Sequence, residues 1–240
     1  MTSSAPKNYL SSVRAQYEQL PYPRRNPEDE KHRLNRTFGD DLEYLNHFGF
    51  SGRMQLEGLR VLDAGAGSGD GSIYLAEQLR ELGGTVVHLD MSTASINVAK
   101  ERARLRQIEN IEFIHASLLD LPSLGLEPFD YVTCTGVLHH LAEPETGLQA
   151  LLSTLKEDGL LKIMLYGQYG RTWVYHMQEL MRQVNRHIDP EDFDTQLARC
   201  KQVMEGLSGV NWYTALENSV NDVKSMGDVG IFDLFLHSQD

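Results

Sequence analysis

The stretch Val61-Leu62-Asp63-Ala64-Gly65-Ala66-Gly67-Ser68-Gly69-Asp70-Gly71-Ser72 limits what this chain can fold into more than any other. A short apolar run ends in an acid, four glycines follow at alternate positions, and Leu75, Leu79 and Leu82 then recur at helical spacing. A buried strand, a tight turn and a helix account for that order. Glycine reaches torsions closed to other residues and lets a ligand lie against the main chain. The alternative is a glycine-rich turn that holds no ligand.

Spacing narrows the choice of ligand. A dinucleotide fingerprint, G-x-G-x-x-G, fails from either start, because the third glycine would fall at Asp70 or at Ser72. Nor does a Gly-Lys-Ser/Thr follow, as a P-loop requires. An acid in the turn also opposes a phosphate, since a helix N-terminus binds anions through uncompensated positive potential. A nucleoside-like ligand without phosphate suits the turn better.

Charge points the same way. The net charge of -12 lies entirely beyond residue 59, since the first 59 residues carry eight basic and eight acidic side chains. Nucleic-acid binding favours a basic surface that displaces counterions. The local exception, Arg102, Arg104 and Arg106, reads as a solvated helix face. Cys134 and Cys200 make neither a disulfide framework nor a metal site. No apolar run reaches membrane length and no export signal is evident, so a cytoplasmic location is expected.

Three segments follow. Residues 1–59 read as an N-terminal arm that packs on the core near a cofactor cleft. It has a helical start, an extended stretch over Tyr17–Pro27 with three prolines, and charged or amphipathic helices at 28–36 and 41–48. Residues 60–166 alternate strands (60–64, 85–90, 111–115, 129–134 and 160–166) with helices at about 71–82, 93–106 and 143–156. Ser92 is a candidate N-cap. The pattern predicts an α/β, Rossmann-like, doubly wound and mostly parallel sheet with helices on both faces. In such sheets ligands sit beyond the carboxyl ends of the strands, where Asp63, Asp90, Ser117 and Thr135 fall. Residues 167–240 read as a helical insertion or lid. Its helix 171–187 carries Val174, Met177, Met181 and Val184 on one stripe, a core face or homodimer contact first and second a lid whose Trp173, Met177 and Met181 would suit an apolar acceptor. Further helices are expected at about 190–207 and 212–224.

The turn V-L-D-x-G-x-G-x-G resembles the first motif of the class I S-adenosylmethionine-dependent methyltransferases, of the kind that act on small molecules. The resemblance extends over residues 60–166. It implies that Asp63, Gly65, Ala66, Gly67 and Gly69 form the methionine side of the cofactor site, with Asp63 helping to hold the ammonium. It implies that Asp90, with Met91 beside it, receives the ribose hydroxyls, and that Ser117 and Leu118 meet the adenine. Ser117 stands where an aspartate is common. Thr135 and Gly136, opening Thr135-Gly136-Val137-Leu138-His139-His140-Leu141, would line the sulfonium end.

For catalysis the candidates are His139, His140 and Tyr166, with His176 behind them; a structural role for both adjacent histidines is equally open. The cofactor implied is S-adenosylmethionine, with S-adenosylhomocysteine as product, and no metal is proposed. The partner expected is a small-molecule methyl acceptor, with no nucleic acid and no membrane. A non-catalytic S-adenosylmethionine-binding module serving a partner protein is the alternative. The family normally closes its sheet with a hairpin of two further strands. Only Ile231–Leu236 offers an apolar segment for it, so the hairpin is expected to be missing and the chain truncated.

Overall fold

The computed structural model describes residues 11–213 and 222–237 and divides the chain into two compact units, Met1–Leu165 and Tyr166–Asp240. The first unit is built on β1 (Arg60–Ala64), β2 (Thr85–Asp90), β3 (Ile111–His115), β4 (Phe129–Thr135) and β5 (Leu155–Met164). All pairings are parallel and the spatial order is β3-β2-β1-β4-β5. Each strand of a parallel sheet is covered on both faces, which is why Val61, Leu62 and Ala64 are all fully buried. Val61 and Val86 pack with Ile73, Leu75 and Leu79 on one face. Leu62, Val87 and Val132 face Leu118, Ala150 and Leu151 on the other.

The arm contributes α1 (Ser11–Gln19) and the short α2 (Leu42–Tyr44), which continues as a wider turn over Leu45–Gly49. Leu42 and Leu45 pack into the core of the sheet, as their spacing predicts. The helix expected at 28–36 is reduced to one tight turn, Pro27–Lys31, because Glu30 is drawn inward by two arginines. The next helices are α3 (Asp70–Leu79), α4 (Thr93–Arg106) and α5 (Pro144–Leu152). Ser92 caps α4 by accepting from the Ser95 N–H at 3.1 Å. Glu18 caps the same helix from the arm, accepting from Thr93 and Ala94 at 2.9 and 3.0 Å.

Strand five departs from its expected bounds. β5 begins at Leu155, five residues early, and ends at Met164. Phe129 pairs with Leu155 while Tyr131 pairs with Leu160, so Lys156–Gly159 bulges out of the pairing within the strand. That irregularity also lets Phe129 and Tyr131 join opposite faces of the sheet although both are odd-numbered. Among the described residues no strand is added beyond β5, and the sheet is not closed.

The second unit is helical: α6 (Thr172–Asn185), α7 (Phe193–Gly206), α8 (Asp222–Met226) and α9 (Asp228–Phe235). The stripe of α6 (Trp173, Val174, Met177 and Met181) is buried with Cys200, Tyr213, Ile231, Leu234 and Phe235 in this unit's own core. Those side chains are therefore spent on packing, the first of the readings given above. Most of the helix expected at 212–224 falls on residues 214–221, outside the described residues. No helix among the described residues is long and apolar enough to cross a membrane.

Candidate functional site

The glycine turn joins β1 to α3 at the carboxyl end of the sheet. Gly65, Gly67 and Gly69 have φ of 74°, 54° and 93°, a conformation that L side chains rarely adopt. Space is short as well: a Cβ on Gly65 would lie 2.5 Å from a Val137 methyl, and one on Gly67 would lie 2.4 Å from the Tyr22 carbonyl oxygen. The segment after β4 and the extended part of the arm thus both abut the turn.

Each N–H from Gly65 to Gly69 is committed to the protein. Gly65 and Ala66 donate to the Leu89 carbonyl at 2.8 and 3.1 Å, and Ser68 and Gly69 to the carbonyls of Tyr22 and Ala66 at 3.1 and 3.0 Å. Gly67 donates to the Asp90 carboxylate at 2.7 Å. A phosphate cradle works by presenting free backbone donors, and these are taken. Asp63 and Asp90 flank the turn, and their carboxyl oxygens suit a cationic and hydroxyl-bearing ligand.

Asp70 is neutralised by the protein itself. Arg25 forks onto its two oxygens at 2.9 and 2.5 Å, and Arg102 reaches it at 2.7 Å. Burial raises the Asp70 carboxyl, but these two guanidiniums outweigh it and hold it below the usual carboxylate range. Arg102 also meets Glu30 at 2.6 Å and donates to the Ser68 carbonyl at 2.7 Å, while Arg106 pairs with Glu30. The solvated-face reading of this arginine cluster is corrected here: Arg102 is 1% exposed and Arg106 is half-buried, and only Arg104 projects into solvent, paired with Glu101. The seam is completed by Ser68 Oγ donating to the Pro23 carbonyl and Ser92 Oγ donating to the Tyr17 carbonyl, at 2.7 and 2.9 Å.

Asp90, at the end of β2, accepts from Gly67 on one oxygen and from Ser92 at 2.8 Å on the other. Burial raises its carboxyl, and the backbone donors only partly offset that. A carboxylate offers about four acceptor positions, so these bonds leave room for ribose hydroxyls. Met91 follows, half-buried, and its carbonyl accepts from His115 Nε2 at 3.0 Å. Ser117 is 6% exposed and caps the tight turn Leu118–Ser123, its hydroxyl accepting from Leu119 at 3.2 Å while Asp120 accepts from the Ser117 N–H at 3.0 Å. Leu118 is buried against Gly147.

Beyond β4, Thr135 is exposed and Gly136 is half-buried at φ 73°. His139 and His140 follow in one tight turn with ring centroids 4.2 Å apart, and His140 is buried with the Tyr17 ring 6.4 Å away, edge-on. Tyr166 opens the second unit, where the Arg171 guanidinium lies 3.4 Å above its ring; His176 stacks on Trp212 in the same unit. The remaining candidates, from Asp63 to His140, all lie in the first unit.

Asp63 is supported by residues that motif reading missed. Its Oδ2 accepts from Ser72 Oγ at 2.7 Å, and the same oxygen of Ser72 lies 2.9 Å from His88 Nδ1. Burial pushes Asp63 up to about 7 and His88 down to about 3. The available signal was His88 itself, a polar residue inside the apolar run Val86-Val87-His88-Leu89. A cleft of about 750 Å³, lined by Phe50, Arg53, Asp130, Lys156 and Asp158, lies at the opposite, amino end of the strands and touches none of these groups.

The family model described as a methyltransferase domain matches residues 55–218. An uncharacterized protein of Synechococcus is 30% identical over 99% of this chain and 56% of its own length. The tRNA 5-carboxymethoxyuridine methyltransferase of Escherichia coli K12 is 37% identical over 47% of this chain and 42% of its own length. The ubiquinone biosynthesis O-methyltransferase of Maricaulis maris is 29% identical over 76% of this chain and 72% of its own. The chain thus spans about half the length of the curated relatives it matches first. Among solved structures, PKMT2 of Rickettsia typhi in complex with AdoHcy superposes with a TM-score of 0.56 at 21% identity, over 76% of this chain and 36% of that one, a likeness of fold. By its family match, its open parallel sheet and its glycine turn, the chain belongs to the class I, Rossmann-like S-adenosylmethionine-dependent methyltransferases.

Proposed function

We propose that this chain transfers a methyl group from S-adenosylmethionine to a small-molecule acceptor. The carrying observation is the turn whose N–H groups from Gly65 to Gly69 are all internally bonded and whose rim holds the two buried acids Asp63 and Asp90. In this reading Asp63 and the turn Gly65, Ala66, Gly67 and Gly69 hold the methionine end. Asp90 and Met91 hold the ribose, Ser117 and Leu118 the adenine, and Thr135 and Gly136 border the sulfonium. The cofactor supplies an electrophilic methyl carbon and a neutral thioether leaving group. The chain supplies alignment and exclusion of water. For a hydroxyl or amine acceptor a proton must also leave, and this reading assigns its removal to His139 or His140. Tyr166 remains a candidate from the second unit, with the lid role of residues 167–240 and cytoplasmic residence as further parts of the reading.

Titration calorimetry with S-adenosylmethionine, S-adenosylhomocysteine and NAD tests it. The expected result is binding of the two sulfur compounds and none of NAD; binding of NAD alone would sink the assignment. Binding without turnover on any acceptor would favour the cofactor-binding module. The tRNA-modifying relative supports a second acceptor class, against which the net charge of -12 argues. Incubation with methyl-labelled cofactor separates the two: label in bulk tRNA favours the nucleic acid, label in a phenol and carboxylate panel the small molecule.

A further inference from the structure

Ser72 Oγ carries one proton and sits between two buried groups, Asp63 Oδ2 at 2.7 Å and His88 Nδ1 at 2.9 Å. All three residues are 6% exposed or less. One hydroxyl cannot donate to both neighbours, so two arrangements are open. With Asp63 as a carboxylate, Ser72 donates to it and His88 Nδ1–H donates to Ser72. With Asp63 as an acid, Asp63 donates to Ser72, Ser72 donates to Nδ1, and the imidazole proton sits on Nε2. His88 Nε2 is buried without a hydrogen-bond partner beside the Phe113 ring, 5.0 Å between centroids. Passing from the acid to the carboxylate form moves the Asp63 proton to Ser72 and the Ser72 proton to Nδ1, and releases the Nε2 proton to water. One proton leaves in total, and the chain ends neutral at His88 and anionic at Asp63.

Resting on the cofactor reading above, we propose that Asp63, Ser72 and His88 form a proton relay under the glycine turn, in which capture of the cofactor's ammonium by the Asp63 carboxylate expels one proton. His88 is then a positioning residue, because its Nδ1–H aims the Ser72 hydroxyl at Asp63. The surroundings favour a protonated resting form. Burial is the largest influence on Asp63; among charged neighbours Asp40 of the arm and Asp90 of β2 oppose ionisation, and Lys162 of β5 favours it. From β4, Tyr131 and Cys134 face the same region, and burial raises both, Cys134 to about 12. On the other side burial first, and then Lys100 and Arg102 of α4, keep His88 from taking a second proton.

The test is calorimetry of S-adenosylhomocysteine binding in phosphate and in Tris, whose different ionisation heats report protons released. With Asp63 at about 7 before binding, about 0.8 proton leaves at pH 6.5 and about 0.2 at pH 7.5, and affinity rises about eightfold from pH 6 to pH 7.5. The control is 5′-methylthioadenosine, which carries the nucleoside without the ammonium and is expected to release none. Ser72→Ala is expected to bind about fivefold more weakly at pH 7, with its midpoint about one pH unit higher. His88→Phe follows Ser72→Ala, and His88→Asn, whose amide nitrogen replaces Nδ1 as a donor to Ser72 but passes no proton on, restores the affinity at pH 7.5 without the wild-type pH profile. Binding of S-adenosylhomocysteine without proton release, or equal release with methylthioadenosine, overturns the relay and leaves the cofactor site standing. No binding at any pH overturns the cofactor reading, and the relay with it. The wild-type proton count decides the matter even if His88→Phe does not fold.

Discussion

At the amino ends of the strands, Arg53, Glu57, Lys156 and Asp158 line a cleft of about 750 Å³ with their charges in water. At the carboxyl ends, Asp63, Asp90 and Arg102 are each no more than 8% exposed and each bonded to specific partners. The two ends of the sheet thus hold their charges differently, in water at one and among buried partners at the other. An exposed charge interacts weakly across water, whereas a buried one persists only with partners and is correspondingly sensitive to their loss.

Four measurements would break or sharpen that contrast. The largest effect is expected from Arg102→Ala, which leaves Glu30 and Asp70 without their shared guanidinium; urea unfolding should register a loss of about 3–5 kcal/mol. A loss under 1 kcal/mol would mean the carboxyl-end network is no more consequential than a surface pair. Next comes Asp90→Ala, for which calorimetry should give tenfold or weaker binding of S-adenosylhomocysteine. Because Asp90 also holds the N–H groups of Gly67 and Ser92, some loss of stability accompanies it.

The third concerns pH. His88 is depressed to about 3 when folded and about 6.5 when unfolded, so the unfolded chain binds more protons between those values and stability is lost as pH falls through them. Asp63 is raised to about 7, so the native state binds the extra proton between about 4 and 7 and stability is gained as pH falls. The two oppose each other in the wild type. His88→Asn removes one, and between pH 6.5 and 5.5 the variant should gain about 1 kcal/mol on the wild type; parallel pH profiles would refute the opposition. Smallest, Lys156→Ala is expected to change stability by less than about 0.5 kcal/mol despite its 2.7 Å contact with Asp130, and to leave cofactor affinity unchanged.

The parts legible in the sequence were those governed by local pattern. β2 and β3 fall on their expected residues because apolar runs bounded by turn residues mark them, and Ser92 caps α4 because a cap acts on its own helix. The acids at the strand ends follow from strand length alone. What escaped were pairings across long sequence distances. Arg102 reads as one of a solvated charge run until Glu30, 72 residues earlier, and Asp70 are seen beside it. The start of β5 escaped because its turn residues are looped out inside a strand, so composition announces a break where the pairing continues. His88 was visible as an oddity, but its partner on α3 was not.

The five N–H groups from Gly65 to Gly69, each already donating to the protein, have a consequence for motion. Glycine-rich segments are usually the loosest in a chain, since the residue has the most backbone freedom to lose. Here the amides are fastened one by one, so in deuterated buffer they should exchange as slowly as those of the neighbouring strands. A ligand settling on them would find the backbone already ordered, and little conformational entropy would be lost in fitting it.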